Sequence, residues 1–178
     1  KSIRETEWTA EIVDLLKAGI ASPHGKQGAV AGPLGEVVLG STQHMSDHDL
    51  RAMAAYLKAL PVAAEPRIPS PHVGGTGALS GPGAKLYEQH CAQCHGDQGE
   101  GVPGIYPALA GNRALTMRTP ANLVHNVLEG GFAPATPGNP RPFGMPPFAT
   151  VLSDDEVAKL LTLIRGSWGN HEQAESGL

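Results

Sequence analysis

The chain has 178 residues, a formal net charge of −4 and only 4% aromatic residues. Its 23 glycines and 16 prolines make up about 22% of the sequence, against roughly 12% in ordinary proteins. This composition argues against a wide β-sandwich or a large α/β enzyme fold, whose strands need many β-branched and aromatic residues. No basic run suggests nucleic acid as a partner. The length allows one domain or two small ones, and small loop-rich domains need a metal or an apolar cofactor to complete their cores.

Two amphipathic helices are predicted in the first third of the chain. One covers residues 9–19, with Thr9 as its cap and a glycine after its last turn. The other covers residues 46–60, beginning at the capping residue Ser46 and ending before a proline. Residues 61–82 are rich in Pro, Gly, Ala and Ser, so we predict a linker between two units.

Three more helices are predicted in the second half, at residues 83–91, 119–130 and 153–165. The middle one starts with a Thr119 cap followed by proline, and the last starts with a capping box formed by Ser153 and Glu156. Residues 131–148 contain six prolines and are predicted to be an extended loop. The expected fold is therefore all-α.

The two halves of the sequence resemble each other. A shift of about 110 residues places the first two predicted helices on the last two, with caps and apolar stripes in register. The same shift places Leu34 on Met145. We therefore predict that two helices and the loop between them occur twice, although the first copy lacks the segment that precedes its first helix.

The N-terminus carries no targeting signal that can be read from the sequence. Residues 1–10 lack the apolar stretch of a signal peptide, so we expect a mature chain, a fragment or a cytosolic protein. No apolar run approaches the roughly 20 residues needed to span a bilayer. Membrane association is expected only through partners or through segments outside this sequence.

The two cysteines, Cys91 and Cys94, are followed directly by His95. C-x-x-C-H is the pattern of covalent c-type haem attachment, in which the thiols add to the haem vinyl groups and the histidine reaches the iron. A thioredoxin-like redox pair would follow a strand, and none is predicted here. A zinc site would need a second pair of ligands at suitable spacing. We therefore expect one covalent haem c.

A sixth iron ligand is expected on a loop after this motif. Met145 meets that condition, since Gly144 and the prolines that follow hold it outside a helix. The alternative is that Met145 only fills the core. His/Met ligation occupies both axial positions and suits electron transfer, whereas an open position would suit a peroxidase-like enzyme or a gas sensor.

Residues 82–168 resemble a class I cytochrome c domain. The resemblance rests on Cys91-Ala92-Gln93-Cys94-His95-Gly96, Pro107-Ala108-Leu109-Ala110-Gly111-Asn112, Gly144-Met145-Pro146 and Ser167-Trp168-Gly169. It implies that the carbonyl of Pro107 accepts a hydrogen bond from the ligand histidine, that Leu109 packs on the haem ring, and that the first and last helices of the domain cross near Gly83.

More narrowly, the chain is similar to the C-terminal part of multi-haem cytochrome c subunits of periplasmic dehydrogenases that oxidise alcohols, aldehydes or gluconate. The phrases that carry this similarity are Gly40-Ser41-Thr42-Gln43-His44-Met45-Ser46, Pro120-Ala121-Asn122-Leu123-Val124 and Met145-Pro146-Pro147-Phe148. The similarity implies a bacterial periplasmic protein that accepts electrons from a dehydrogenase and passes them to a cytochrome, an oxidase or a quinone-linked acceptor.

The expected organisation is a haemless cytochrome-like half-domain at 1–60, a linker at 61–82, a mono-haem domain at 83–170 and a tail at 171–178. In the half-domain, Leu34 cannot replace a methionine ligand. Met45, His44 and His48 are expected to be solvent-facing residues around a helix cap, the alternative being an unusual iron ligand to the haem of an upstream domain. The remaining candidates have expected structural or surface roles: His90, His125, Arg113, Arg141 and Trp168. The two arginines are also candidates to pair with haem propionates.

Overall fold

The structure is a computed structural model that describes residues 3–21, 28–61, 79 and 81–170, without the side chains of residues 3–8 and 113. The described residues are mostly helical. Contacts divide the chain into two compact units. The first unit comprises Lys1–Arg67 and Phe132–Phe143, and the second comprises Ile68–Gly131 and Gly144–Leu178. Most of the predicted linker and the whole predicted tail lie outside the described residues.

The first unit begins with helix α1, Ile3–Ala18. The predicted start at Thr9 is wrong, because the helix already begins at Ile3 and Thr9 lies inside it. The predicted end is confirmed. Gly19 has a φ of +77° and donates its N–H to the carbonyl of Leu15 at 3.0 Å, which is the hydrogen bond of a left-handed helix end.

Between the two predicted helices of the first unit lies a helix that the sequence did not predict. Strands β1, Ile20–Ala21, and β2, Gly28–Ala29, pair antiparallel, and helix α2 follows at Pro33–Gly40. Proline suits a first helical turn, and the fully buried Val38 holds the helix on the unit. Leu34 therefore lies in a helix, whereas Met145 lies in an extended strand, so the prediction that the loop recurs in the same form is wrong.

A 3₁₀ turn at Thr42–His44 leads into helix α3, Asp47–Ala59. The predicted cap is confirmed, since the Ser46 hydroxyl accepts the N–H of Asp49 at 3.2 Å. The core of this unit joins the two long helices through buried Val13, Leu16, Leu50 and Ala54. Thr42 is also buried, and its hydroxyl donates to the carbonyl of Leu16.

Phe132–Phe143, far along the chain, completes the first unit. The hydroxyl of Thr136 donates to the carbonyl of Ala18 at 3.0 Å. Pro134 lies so close to Gly19 that a Cβ there would be 2.5 Å from its ring. The close approach explains why a glycine follows α1.

The second unit contains the remaining helices of the described residues. They are α4 at Ala84–His90, α5 at Ala92–His95, α6 at Arg113–Thr116, α7 at Ala121–Glu129 and α8 at Asp154–Gly166. Strands β3, Gly131–Phe132, and β4, Gly144–Met145, pair where the chain leaves this unit and returns to it. The short helices α5 and α6 were not predicted.

The apolar faces of α4, α7 and α8 meet in one cluster of side chains, which we call the second-unit cluster. Its buried members include Tyr87, Val127, Phe148, Leu160 and Ile164. The predicted crossing at Gly83 is confirmed, because a Cβ there would be 2.6 Å from the carbonyl oxygen of Lys159 and 3.1 Å from the Cβ of Leu163. Glycine thus lets the start of α4 approach the backbone of α8.

The caps of the last two long helices differ from each other. Ser153 and Glu156 form the predicted capping box, with the N–H of Ser153 donating to the Glu156 carboxylate at 2.9 Å. The prediction of a Thr119 cap is wrong, since α7 begins after Pro120, which occupies the cap position and has no hydroxyl to offer. The fixed ring of Pro120 instead presets the backbone of the first turn.

Candidate haem-binding site

One helical turn presents the C-x-x-C-H residues. Cys91 lies between α4 and α5 as the cap residue of both, and Cys94 and His95 are the last two residues of α5. The carbonyl of Cys91 accepts the N–H groups of Cys94 at 3.1 Å and of His95 at 2.9 Å. Cys91 is buried and Cys94 is partly buried, and neither thiol is in a disulfide. The spacing thus holds two thiols and an imidazole on one short rigid element.

His95 is oriented by a backbone carbonyl. Its Nδ1 lies 2.9 Å from the oxygen of Pro107, and because a carbonyl only accepts, Nδ1 must carry the proton. Nε2 is then the nitrogen with a lone pair for a metal. Burial holds the pKa of His95 below its ordinary value, with the Pro107 hydrogen bond acting in the opposite direction, so the neutral imidazole is favoured.

Cys91 is one of the buried members of the second-unit cluster, so its thiol has apolar surroundings. Burial, with a smaller effect of Cys94, raises the pKa of Cys91 to about 11. A thiolate is therefore disfavoured, which does not suit a redox nucleophile or a zinc ligand. A neutral sulfur, as in a thioether, suits this position.

Residues 96–111, which we call the histidine loop, carry Pro107 back to His95. Gly101 donates its N–H to the carbonyl of His95 at 2.7 Å. The carbonyl of Gly99 accepts the N–H groups of Leu109 at 2.7 Å and Ala110 at 2.8 Å. Leu109 packs against the second-unit cluster. Backbone hydrogen bonds thus fold the loop onto itself on both sides of the proline.

Met145 lies in β4, half-buried against the same cluster as Cys91 and Leu109. Gly130, with a φ of +64°, lies so close to the carbonyl of Met145 that no side chain would fit there. Just beyond, Phe148 donates its N–H to the carbonyl of Val127 at 3.0 Å. This hydrogen bond satisfies a carbonyl at the end of α7. Helix α7 therefore fixes the path of the backbone that follows Met145.

The sequence pattern of the cytochrome c family matches residues 80–168, half of the chain. The chain belongs to the cytochrome c family. Membership implies a covalently bound haem c, and the matched region contains the C-x-x-C-H motif.

Named relatives of this cytochrome c include dehydrogenase subunits. It is 39% identical over 90% of its length to the cytochrome c subunit of the quinone alcohol dehydrogenase of Gluconobacter oxydans, and it covers 34% of that protein. It is 36% identical over 82% of its length to the gluconate 2-dehydrogenase cytochrome c subunit of Pantoea cypripedii, covering 35% of that protein. The chain thus spans about a third of the length of these relatives.

A shorter relative is the cytochrome c-552 of Thermus thermophilus. The identity is 30% over 58% of this chain and 71% of that protein. Among the residues that the structure describes, none of the helices combines the length and apolar character that crossing a bilayer requires.

The residues present in this cytochrome c fit a haem. The imidazole of His95 already has its Nδ1 engaged with Pro107, so Nε2 is the nitrogen that keeps a lone pair for a metal. Cys91 holds a neutral thiol against apolar side chains, and Met145 and Leu109 pack on the same cluster. A thioether, an imidazole and two cysteine thiols are the donor set that haem c uses.

The other candidate residues have structural or surface positions. The expected solvent-facing position is wrong for Met45, whose apolar side chain packs against the first-unit core, and it is confirmed for His44 and His48, which are exposed. His90 contacts the ring of Phe148 edge-on at 5.7 Å. His125, Arg141 and Met117 are exposed, and the side chain of Arg113 lies outside the described residues.

Asn170 is a buried residue near the site that sequence reasoning missed. It is fully buried, and its Oδ1 accepts the N–H of Gly111 at 2.8 Å. Its partner is 59 residues away in sequence, so no local pattern could identify it. The one signal was its position directly after the Ser167-Trp168-Gly169 phrase.

Proposed function

We propose that this protein transfers electrons through one covalently bound haem c held by Cys91 and Cys94, with His95 and Met145 as the axial iron ligands. The observation that carries the proposal is the 2.9 Å hydrogen bond between His95 Nδ1 and the carbonyl of Pro107. It leaves the lone pair on Nε2 of a neutral imidazole, and His95 shares one helical turn with the two cysteines. The half-buried thioether of Met145, packed on the same cluster as Cys91, supports its role as the sixth ligand.

Haem c, when bound, supplies a one-electron iron couple. The chain's own residues hold the donors in place. Pro107 keeps the imidazole proton on Nδ1 and strengthens histidine as a donor. Leu109 and the second-unit cluster supply apolar surroundings, and the close approach of Gly130 fixes the backbone at Met145. With both axial positions taken, electron transfer is favoured over oxygen chemistry.

Carbon monoxide binding tests the Met145 assignment. The reduced wild-type protein is expected to keep a low-spin spectrum under carbon monoxide, because both axial positions are occupied. Met145→Ala is expected to bind carbon monoxide readily, because it opens one axial position. Met117→Ala is the matched control, since Met117 is 54% exposed, and it is expected to behave as wild type.

Two results would contradict this ligation. Ready carbon monoxide binding by the native wild-type protein would favour the alternative of an enzyme or sensor with an open distal site. Peroxide turnover that is unchanged in Met145→Ala would favour the same alternative. The intact mass of the holoprotein tests the number of haems, and a mass gain other than one haem would overturn the count.

We propose further that the protein serves as a cytochrome component that accepts electrons from a dehydrogenase in the bacterial periplasm. Support comes from relatives matching 90% and 82% of this chain whose names are those of dehydrogenase cytochrome c subunits. Redox partners of this kind meet through small, transient interfaces. Stopped-flow mixing of oxidised holoprotein with a quinone-dependent alcohol or gluconate dehydrogenase and its substrate tests this. Reduction no faster than in substrate-free controls would contradict it, and cell fractionation tests the compartment.

The domain assignment is part of the same proposal. We assign haem binding to residues 83–170, and we regard residues 1–60 as a half-domain that binds no haem through its own side chains. The packing of Met45 into the first-unit core supports this assignment. Replacing Met45 with leucine is expected to leave the haem spectrum unchanged, whereas a spectral change would implicate the first unit in ligation.

A further inference from the structure

The turn after α8, residues 167–170, which we call the C-terminal turn, has two unusual features. Trp168 has a φ of +53°, a conformation in which a bulky residue is a genuine outlier. Its indole Nε1 is buried and has no hydrogen-bond partner among the described residues. Both features disfavour the folded state locally, and such outliers persist where the surrounding structure requires them.

Asn170 connects this turn to the histidine loop. Its side-chain oxygen accepts the N–H of Gly111 at 2.8 Å, and its side-chain nitrogen donates to the carbonyl of Ile164 at 2.8 Å. Its own N–H donates to the carbonyl of Ser167 at 3.0 Å. One fully buried side chain therefore joins the end of α8 to the end of the histidine loop.

Trp168 contacts the same loop at a second point. A Cβ at Gly99 would lie 2.7 Å from the indole ring. The centroid of the Tyr87 ring lies 5.1 Å from that of the indole. Gly99 is the residue whose carbonyl accepts the N–H groups of Leu109 and Ala110. The indole thus packs against the residue that holds the segment after Pro107.

The position of Pro107 must be set by its neighbours. Proline has no N–H with which to fix its own backbone, yet its carbonyl makes the 2.9 Å contact with His95. The turn holds this stretch at Gly99 and at Gly111. We infer that Trp168 and Asn170 are positioning residues for the axial histidine, acting through the Pro107 carbonyl. This inference rests on the proposed ligation by His95.

Hydrogen exchange of the His95 Nδ1 proton tests the inference. In the reduced full-length holoprotein, NMR is expected to show this proton exchanging about tenfold faster in Asn170→Ala than in wild type, the scale of one lost hydrogen bond. The midpoint potential is expected to rise, because a weaker Pro107 contact makes histidine a poorer donor to ferric iron. Ser153→Ala, which removes the cap at the far end of the same helix, is the control and is expected to change neither quantity.

The outcomes separate this inference from the proposed function. If Asn170→Ala takes up haem and shows wild-type exchange and potential, the inference is overturned while the ligand assignment stands. If Asn170→Ala fails to take up haem, Trp168→Phe decides, since it keeps an aromatic ring but alters the contact with Gly99. Wild-type values in that variant would overturn the inference. A wild-type protein without an iron-bound histidine signal would instead overturn the proposed function.

Discussion

Helices α3 and α8 begin in the same way and are buried to very different degrees. Each follows a serine whose hydroxyl accepts the N–H three residues on, at 3.2 Å for Ser46 and 3.4 Å for Ser153. α3 buries Leu50 and Ala54, whereas α8 buries six residues along its length. Leu57 is 45% exposed, while Ile164, which the repeat places in register with it, is 4% exposed.

The difference separates what a local pattern determines from what a core determines. A cap needs only residues three apart in sequence, so both helices start as expected. Burial of the apolar stripe needs a surface to cover it, and α8 finds that surface in the second-unit cluster beside the C-x-x-C-H turn. The same amphipathic plan therefore contributes unequally to the stability of the two units.

The largest expected effect comes from truncating the paired apolar positions. Ile164→Ala is expected to destabilise the second unit by about 2–5 kcal/mol, because it removes buried methyl groups and leaves a cavity. Leu57→Ala is expected to lower the free energy of unfolding by less than about 1 kcal/mol, because this side chain is already about half exposed to solvent. Denaturant unfolding followed by haem absorbance and by circular dichroism measures both. Equal losses would mean that α3 is covered as well as α8 is.

A smaller effect is expected from adding a methyl group to a glycine in each unit. Gly83→Ala places a Cβ 2.6 Å from the Lys159 carbonyl oxygen and is expected to cost about 1–3 kcal/mol through overpacking. Gly40→Ala, at the end of α2, meets nothing within 4 Å and is expected to stabilise by about 0.5 kcal/mol. Thermal unfolding of both variants tests the pair. A neutral Gly83→Ala would show that α4 can shift away from α8.

The smallest expected effect is a difference in pH dependence between the units. The Ser153 hydrogen bonds hold the pKa of Glu156 below its ordinary value. A carboxyl with a lowered folded pKa stabilises above its unfolded value, and that contribution is lost as the pH falls through the folded value. In the first unit, Ser46 lowers the pKa of Asp49, but burial raises the pKa of Asp14. A carboxyl with a raised folded pKa gains stability for the folded state as the pH falls, so Asp14 offsets Asp49. Acidification is therefore expected to weaken the second unit more.

Glu156→Gln tests that difference, because it keeps an oxygen for the cap and removes the titration. Urea midpoints measured from about pH 6 to about pH 3 are expected to fall less steeply for the second unit of this variant than for wild type. Asp49→Asn is the matched change in α3. An unchanged slope in Glu156→Gln would assign the acid sensitivity to other groups.

Local patterns predicted the caps Ser46 and Ser153 and the glycine after α1, because each depends on neighbours in sequence. They did not predict α2, which lies in the stretch predicted as the loop between the first two helices. That helix is held by the burial of Val38, which is a tertiary effect. The predicted start of α1 was wrong because Thr9 can serve as a cap or as an interior residue, and its neighbours in sequence do not decide between the two.

The residues of the candidate site also differ in how far the sequence alone could predict them. Cys91, Cys94 and His95 follow from a motif whose spacing is chemically required. Pro107 contributes a backbone carbonyl, which leaves no side-chain signal, so only the family resemblance indicated it. Asn170 contributes through Gly111, on a different part of the chain, and neither periodicity nor resemblance identified it.

The assignment of Phe132–Phe143 to the first unit has a consequence for dissecting this protein. No single cut in the backbone separates the two units, because the stretch that packs with α1 is encoded between α7 and Met145. A fragment beginning after Arg67 would leave the Thr136 hydroxyl without the carbonyl of Ala18. Each unit therefore consists of two stretches of the chain, 1–67 with 132–143 and 68–131 with 144–178.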